Sequence, residues 1–125
     1  MRAWRKRREW RLLMHRLLLV VSAMIASCAS VSPKSSIYRG EYFYNFESAS
    51  FTPDGSSEPW CVNSAKLKNA ELPSDGAPEG ARGTAQVVVR GVLSPHGKYC
   101  NHGAYKHFLE ITDVIDIFNR QRRTP

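Results

Sequence analysis

An uninterrupted run of small and apolar residues, Leu17 to Ser27, sits behind an arginine-rich start and stops at Cys28, and it decides how much of the 125-residue chain is available for folding. Eleven residues rise only about 16 Å as a helix, whereas crossing a bilayer takes about 20 residues. The run is too short to span. It also shows no polar face at helical spacing, which argues against an amphipathic core helix. A basic start, an apolar stretch of this length and a small-residue site together read as a secretory leader that is cut from the mature chain.

Ile25-Ala26-Ser27-Cys28 sharpens that reading, because it resembles the bacterial lipobox, an aliphatic residue and two small ones ahead of a cysteine that is acylated before cleavage. Small residues let the backbone enter a protease site, and the thiol is the nucleophile that accepts the diacylglycerol. The expectation is therefore a signal peptide over 1–27, a lipidated N-terminus at Cys28 and a flexible tether over 28–36, where Ser32-Pro33-Lys34-Ser35-Ser36 is polar and unpatterned. "MHRLLLVVSAMIASC", from Met14, is a complete leader by itself. Ala29 and Ser30, rather than an acidic residue, follow Cys28. That points to the outer membrane, facing the periplasm. Each buried CH₂ of an acyl chain contributes about 0.8 kcal/mol, so several chains on one residue hold a small domain firmly to the membrane.

The formal charge of +7 belongs mostly to the leader: the first 16 residues carry +6 and the remainder +1. Binding to a polyanion needs Lys and Arg on the folded surface, where they displace counterions from phosphates. A nearly neutral mature chain excludes nucleic acid as the expected partner.

Past the tether, residues 37–118 read as one small β domain. Tyr38, Tyr42, Tyr44 and Phe46 alternate with Arg39, Glu41, Asn45 and Glu47, which predicts a single strand over 37–51. Turn chemistry follows at 52–59, a short strand at "WCVNSA", one or two helical turns at 66–72, and a Pro- and Gly-rich loop at 73–83. "TAQVVVRGVL" predicts a largely buried strand with a bulge or bend at Gly91. A second loop, 94–103, leads to a last strand in which His107, Leu109 and Ile111 alternate until a shift near Asp113 lets Val114, Ile115 and Ile117 pack. Residues 119–125 read as a polar tail. The fold class expected is mainly β, a small OB-like five-stranded barrel with one short helix.

"VVVRGVLSPHGKYCNHGAYKHFLEITDVIDI" resembles the C-terminal half of small bacterial OB-fold-like envelope lipoproteins, and "YRGEYFYNFESASFTP" is similar to their aromatic first strand, with Gly40, Glu47, Phe51 and Pro53 in matching places. The resemblance covers about two thirds of the mature chain. It implies a fold and a compartment, and no catalytic residue. Cys61 and Cys100 depart from the pattern.

With Cys28 committed to lipid, Cys61 and Cys100 are the remaining pair, and in an oxidising compartment they are expected to close. A metal site is the sharper alternative, since His96, Cys100, His102 and His107 lie within a dozen residues, but H-x₃-C-x-H-x₄-H matches no zinc spacing with a mechanical rationale. No cofactor is expected. Ser94 and His96 lack any sign of an orienting group or oxyanion hole, so an enzyme is not expected either. Half or more of the aromatic set should form the core, and Tyr42, Tyr44, Trp60, Tyr99 and Tyr105 are the candidates for an exposed binding face. The function expected is that of a lipid-anchored binding or structural module, monomeric, with an envelope protein or a glycan as partner. The second reading is a periplasmic metal-binding or stress-sensing lipoprotein using His96, His102 and His107.

Overall fold

Strand alternation along 36–44 turns Gly40, Tyr42 and Tyr44 to one side and Arg39, Glu41 and Phe43 to the other, and the first set is buried. The structure, a computed structural model, describes residues 32–76 and 80–123; the expected leader and Cys28 lie outside the described residues. The chain from residue 33 onward is one unit. Its strands are β1 (Ser36–Tyr44), β2 (Ala49–Pro53), β3 (Trp60–Val62), β4 (Gly83–Leu93) and β5 (Phe108–Arg122), with a 3₁₀ helix at Ser64–Ala70 between β3 and β4. They follow the order β1-β2-β3-β5-β4 and close into a ring, β4 pairing back onto β1. All pairs are antiparallel except β3 with β5.

Two boundaries and the facing of one residue differ from the sequence reading. The single strand expected over 37–51 is a hairpin, because Asn45 Oδ1 accepts hydrogen bonds from the backbone N–H groups of Glu47 (2.9 Å) and Ser48 (2.7 Å) and folds the chain back on itself. Phe46 continues the alternation in sequence, yet it sits on this turn and is 72% exposed. The polar tail expected from 119 is strand as far as Arg122, since Thr84 and Gly83 pair with Gln121 and Arg122. Polar side chains cost nothing there, because they face solvent. Ile115, expected to pack, is exposed: Val88 pairs with Asp116 and Val89 with Val114, which leaves Ile115 as the extra residue of a bulge.

Bulges are what allow β5 to wrap. Its stretch Leu109–Arg122 covers Gly83–Leu93 of β4 with three residues to spare, and register shifts fall between Thr84 and Gln86, Val88 and Val89, and Arg90 and Gly91. Each extra residue adds local twist and curvature. The bend anticipated at Gly91 is one of these. A Cβ there would lie 3.1 Å from the Glu110 carbonyl carbon and 3.2 Å from Leu109 Cδ1, so only glycine lets the two strands approach.

The core fills the ring. Tyr42, Tyr44, Phe51, Ala85, Val87, Val89, Leu109 and Ile111 point inward, and the 3₁₀ helix closes one end by lowering Leu67 and Ala70 onto them. Among the described residues no helix is long and apolar enough to cross a membrane.

The weakest seam is β3. It pairs with β2 only through Ser50–Cys61 and Phe51–Trp60, and with β5 only through Cys61–Phe108 and Val62–Leu109. Asn63 extends that last ladder with its side chain: Oδ1 accepts from Ile111 N–H at 2.7 Å and Nδ2 donates to Ile111 O at 3.2 Å. Asn63→Ala leaves both Ile111 backbone groups without these partners, and should lower unfolding free energy in urea by about 2 to 3 kcal/mol. Ile115→Thr, at the exposed bulge, should change it by less than about 0.5 kcal/mol.

A groove between the first hairpin and the last long loop

Of the five aromatic residues expected on a binding face, Tyr42 and Tyr44 are instead core, 0% and 2% exposed. The alternation was read correctly, but ring closure turns that face of β1 inward. Their rings stack at a centroid distance of 5.7 Å, and their hydroxyls emerge at the 3₁₀ helix. Tyr42 Oη donates to Glu71 Oε1 at 2.9 Å, and Tyr44 Oη accepts from Leu72 N–H at 2.8 Å. Burial above all, then the hydrogen bond to Glu71 and its charge, push the Tyr42 phenol far above its ordinary range, against a smaller opposite effect of Ser64.

Trp60 is half-buried in a run of rings, edge-on to Tyr38 at 5.5 Å and to His107 at 6.0 Å, and tilted against Phe51 at 5.9 Å. Tyr99 and Tyr105 hold the base of the β4–β5 loop, each donating its backbone N–H to the other's carbonyl, at 2.9 and 3.1 Å. Tyr99 Oη is spent on Pro95 O at 2.9 Å. The five do not share a face.

Cys61 and Cys100 form a disulfide, with Cα atoms 6.3 Å apart. Cys61 is buried in β3 and Cys100 is exposed at the tip of the loop. From Cys100 through Gly103 the backbone has positive φ (46°, 38°, 58° and 84°), a conformation that costs about 1 to 3 kcal/mol for each non-glycine residue. The covalent tie, together with hydrogen bonds from Gly103 and Ala104 N–H to Cys100 O, holds it.

This loop is one wall of a groove of about 360 Å³. The rest of the lining is the Asn45–Ser48 turn with Phe46, Cys61 and Val62 of β3, and, from the 3₁₀ helix, Ser64 at its start, Lys68 in its last turn and Glu71 just after it. Lys68 Nζ reaches both carboxylate oxygens of Glu71, at 3.2 and 3.3 Å, while Tyr42 holds that carboxylate from the core side. Asn101 and Tyr105 line the loop wall. Of the groove's residues, Tyr105 and the two cysteines were site candidates from sequence, and Phe46 and Glu47 were read there as part of the first strand; Lys68, Glu71 and Asn101 carried no signal.

The three described histidines form a pair and a singleton. His96 and His107 lie edge to face at 5.6 Å, with His107 Nδ1 3.1 Å from Ser94 O. His102 is exposed on the left-handed turn. Among the described residues no three His, Cys, Asp or Glu side chains are grouped to hold a metal ion, and Cys100 is committed to sulfur, so the three-histidine site of the second reading is not assembled.

Reduction, or Cys61→Ser with Cys100→Ser, should cost about 3 to 4 kcal/mol of stability for a closure of 39 residues, and should speed amide exchange in 97–105 ahead of that in β1 and β4. Because the Tyr42 phenol titrates higher folded than unfolded, its contribution is complete below about pH 10 and is lost as pH rises beyond it. Tyr42→Phe should flatten the alkaline fall in thermal midpoint, and absorbance titration should show one tyrosinate appearing only with unfolding. Compared with protein-family models, with curated proteins and with solved structures, the chain has no match.

Proposed function

We propose that this is a lipid-anchored protein of the bacterial envelope whose OB-like barrel is a binding module, with the groove between the β1–β2 turn and the β4–β5 loop as its site. The groove carries the reading. A closed five-stranded ring with a helical segment between β3 and β4 has the arrangement in which OB barrels present a ligand face between those same two loops. Fold analogy raises the expectation and does not name a ligand. The small cavity, about 360 Å³, lies at the low end of ligand sites, and its walls mix one exposed aromatic ring with fixed polar groups.

The anchor rests on the sequence: a leader of the right length, the Ile25-Ala26-Ser27-Cys28 motif and a polar stretch ahead of Ser36, where β1 begins. An oxidising compartment agrees with the Cys61–Cys100 bond. Partners on this reading are the membrane, through acyl chains on Cys28, and an envelope protein or glycan in the groove.

In a bacterial host, Cys28→Ala should move the protein from the membrane pellet to the soluble fraction. The wild-type chain should show a mass that begins at residue 28 and includes acyl groups. A Cys28→Ala chain that still pellets, or an unacylated chain that retains its first 27 residues, would rule the anchor out.

A further inference from the structure

Resting on the reading of this groove as a binding site, we infer that its ligand is a neutral oligosaccharide. Three classes compete, and the structure separates them by charge and hydrogen-bonding capacity.

An extended peptide that docks by strand addition needs a sheet edge with unpaired N–H and C=O groups. In this ring every strand has a neighbour on each side, and where β3 stops short along β5 the Asn63 side chain already takes the N–H and C=O of Ile111, so the edge next to β3 is occupied. A nucleic acid or other polyanion needs a cationic channel. The groove has a single lysine, Lys68, which is already paired with Glu71, and a second carboxylate, Glu47, at its rim. Its charge is slightly negative. A polyanion would meet repulsion there.

A neutral polyhydroxylated ligand meets no such obstacle. A pyranose ring has an apolar C–H face and a rim of hydroxyls that both donate and accept. Carboxylates and side-chain amides are the protein groups suited to that rim, because they offer several acceptor sites, or a donor and an acceptor side by side. Glu47 and Asn101 supply them from two separate segments of the lining, and Glu71, whose oxygens already accept from Tyr42 and Lys68, has only its remaining lone pairs to add. The C–H face calls for an aromatic ring held ready in solvent, and Phe46 is that ring. It is 72% exposed, at the tip of a turn whose backbone is fixed by Asn45 Oδ1 and by the Asn45 N–H to Ser48 O bond of 2.9 Å. Leaving a phenylalanine in water forgoes its burial, and fixing the turn beneath it lowers the entropy lost when a ligand packs on it. Tyr105, on the loop wall, adds a second ring with a polar tip.

The experiment is a titration of the full-length ¹⁵N-labelled chain in detergent with chitotriose, maltotriose, a lysine-rich peptide and oligothymidylate. Saturable amide shifts in 45–48 and 100–105 with one of the trisaccharides at millimolar concentration are expected, and neither of the other probes should compete. Phe46→Ala should weaken that binding by about tenfold with no change in thermal midpoint, and Phe46→Tyr should restore it. Saccharide shifts that survive Phe46→Ala, or that fall elsewhere on the domain, overturn the inference. If both saccharides fail while the peptide or the oligonucleotide shifts the same amides, the groove stands as a site and the oligosaccharide assignment falls. If no probe moves those amides, both fall together.

Discussion

Closure of the sheet passes through three residues, Trp60–Val62, and most of what is distinctive about the domain compensates for how short that strand is. Two residue pairs on each side are too few to hold a ring shut by main-chain hydrogen bonds alone. Three reinforcements lie on or beside β3. Asn63 lends its amide to the ladder, Cys61 is tied covalently to the far loop, and Trp60 packs among Tyr38, Phe51 and His107. The disulfide acts mainly by restricting the unfolded chain, whereas the asparagine and the tryptophan act in the folded state. For a domain of about 90 residues, whose core is modest, such additions are a large share of net stability.

The same seam makes the groove. Where β3 ends early, the 3₁₀ helix enters, and the sheet leaves a gap flanked by the β1–β2 turn and the β4–β5 loop. The disulfide spans that gap from β3 to the loop, so stability and site shape are coupled through one bond. The Tyr42–Glu71–Lys68 chain couples them again from the other end: a phenol in the core holds a carboxylate whose other face meets a lysine in the groove. Glu71's side chain is 18% exposed, so its charge is satisfied by fixed partners more than by water. A ligand replacing Lys68 there would meet an already oriented carboxylate.

On the proposed reading, acyl chains at Cys28 and a short polar tether would leave the domain free to present this groove close to a membrane surface. Anchoring suits a weak, small site. Confinement to a surface raises the effective concentration of a partner fixed to the same surface, so modest affinity suffices. Charge is then of little use for long-range steering, which agrees with a chain that is nearly neutral past its first 16 residues.

What the sequence by itself determined is whatever depends on neighbours along the chain. The two-residue period of β1, the buried strand at β4 with its bend at Gly91, turn chemistry within 52–59 and the pairing of the only two cysteines downstream of Cys28 were all legible, because backbone sterics and a count of residues decide them. Three matters were decided only by the tertiary structure. Alternation separates two faces without saying which is inside, and ring closure sent Tyr42 and Tyr44 into the core and left Phe46 on a turn in water. Bulges in β5 changed which residues face in, exposing Ile115, and pairing to β4 carried the strand through a polar stretch that looked like a tail. The groove draws on four separated segments, and their convergence follows from strand order, which no local pattern encodes.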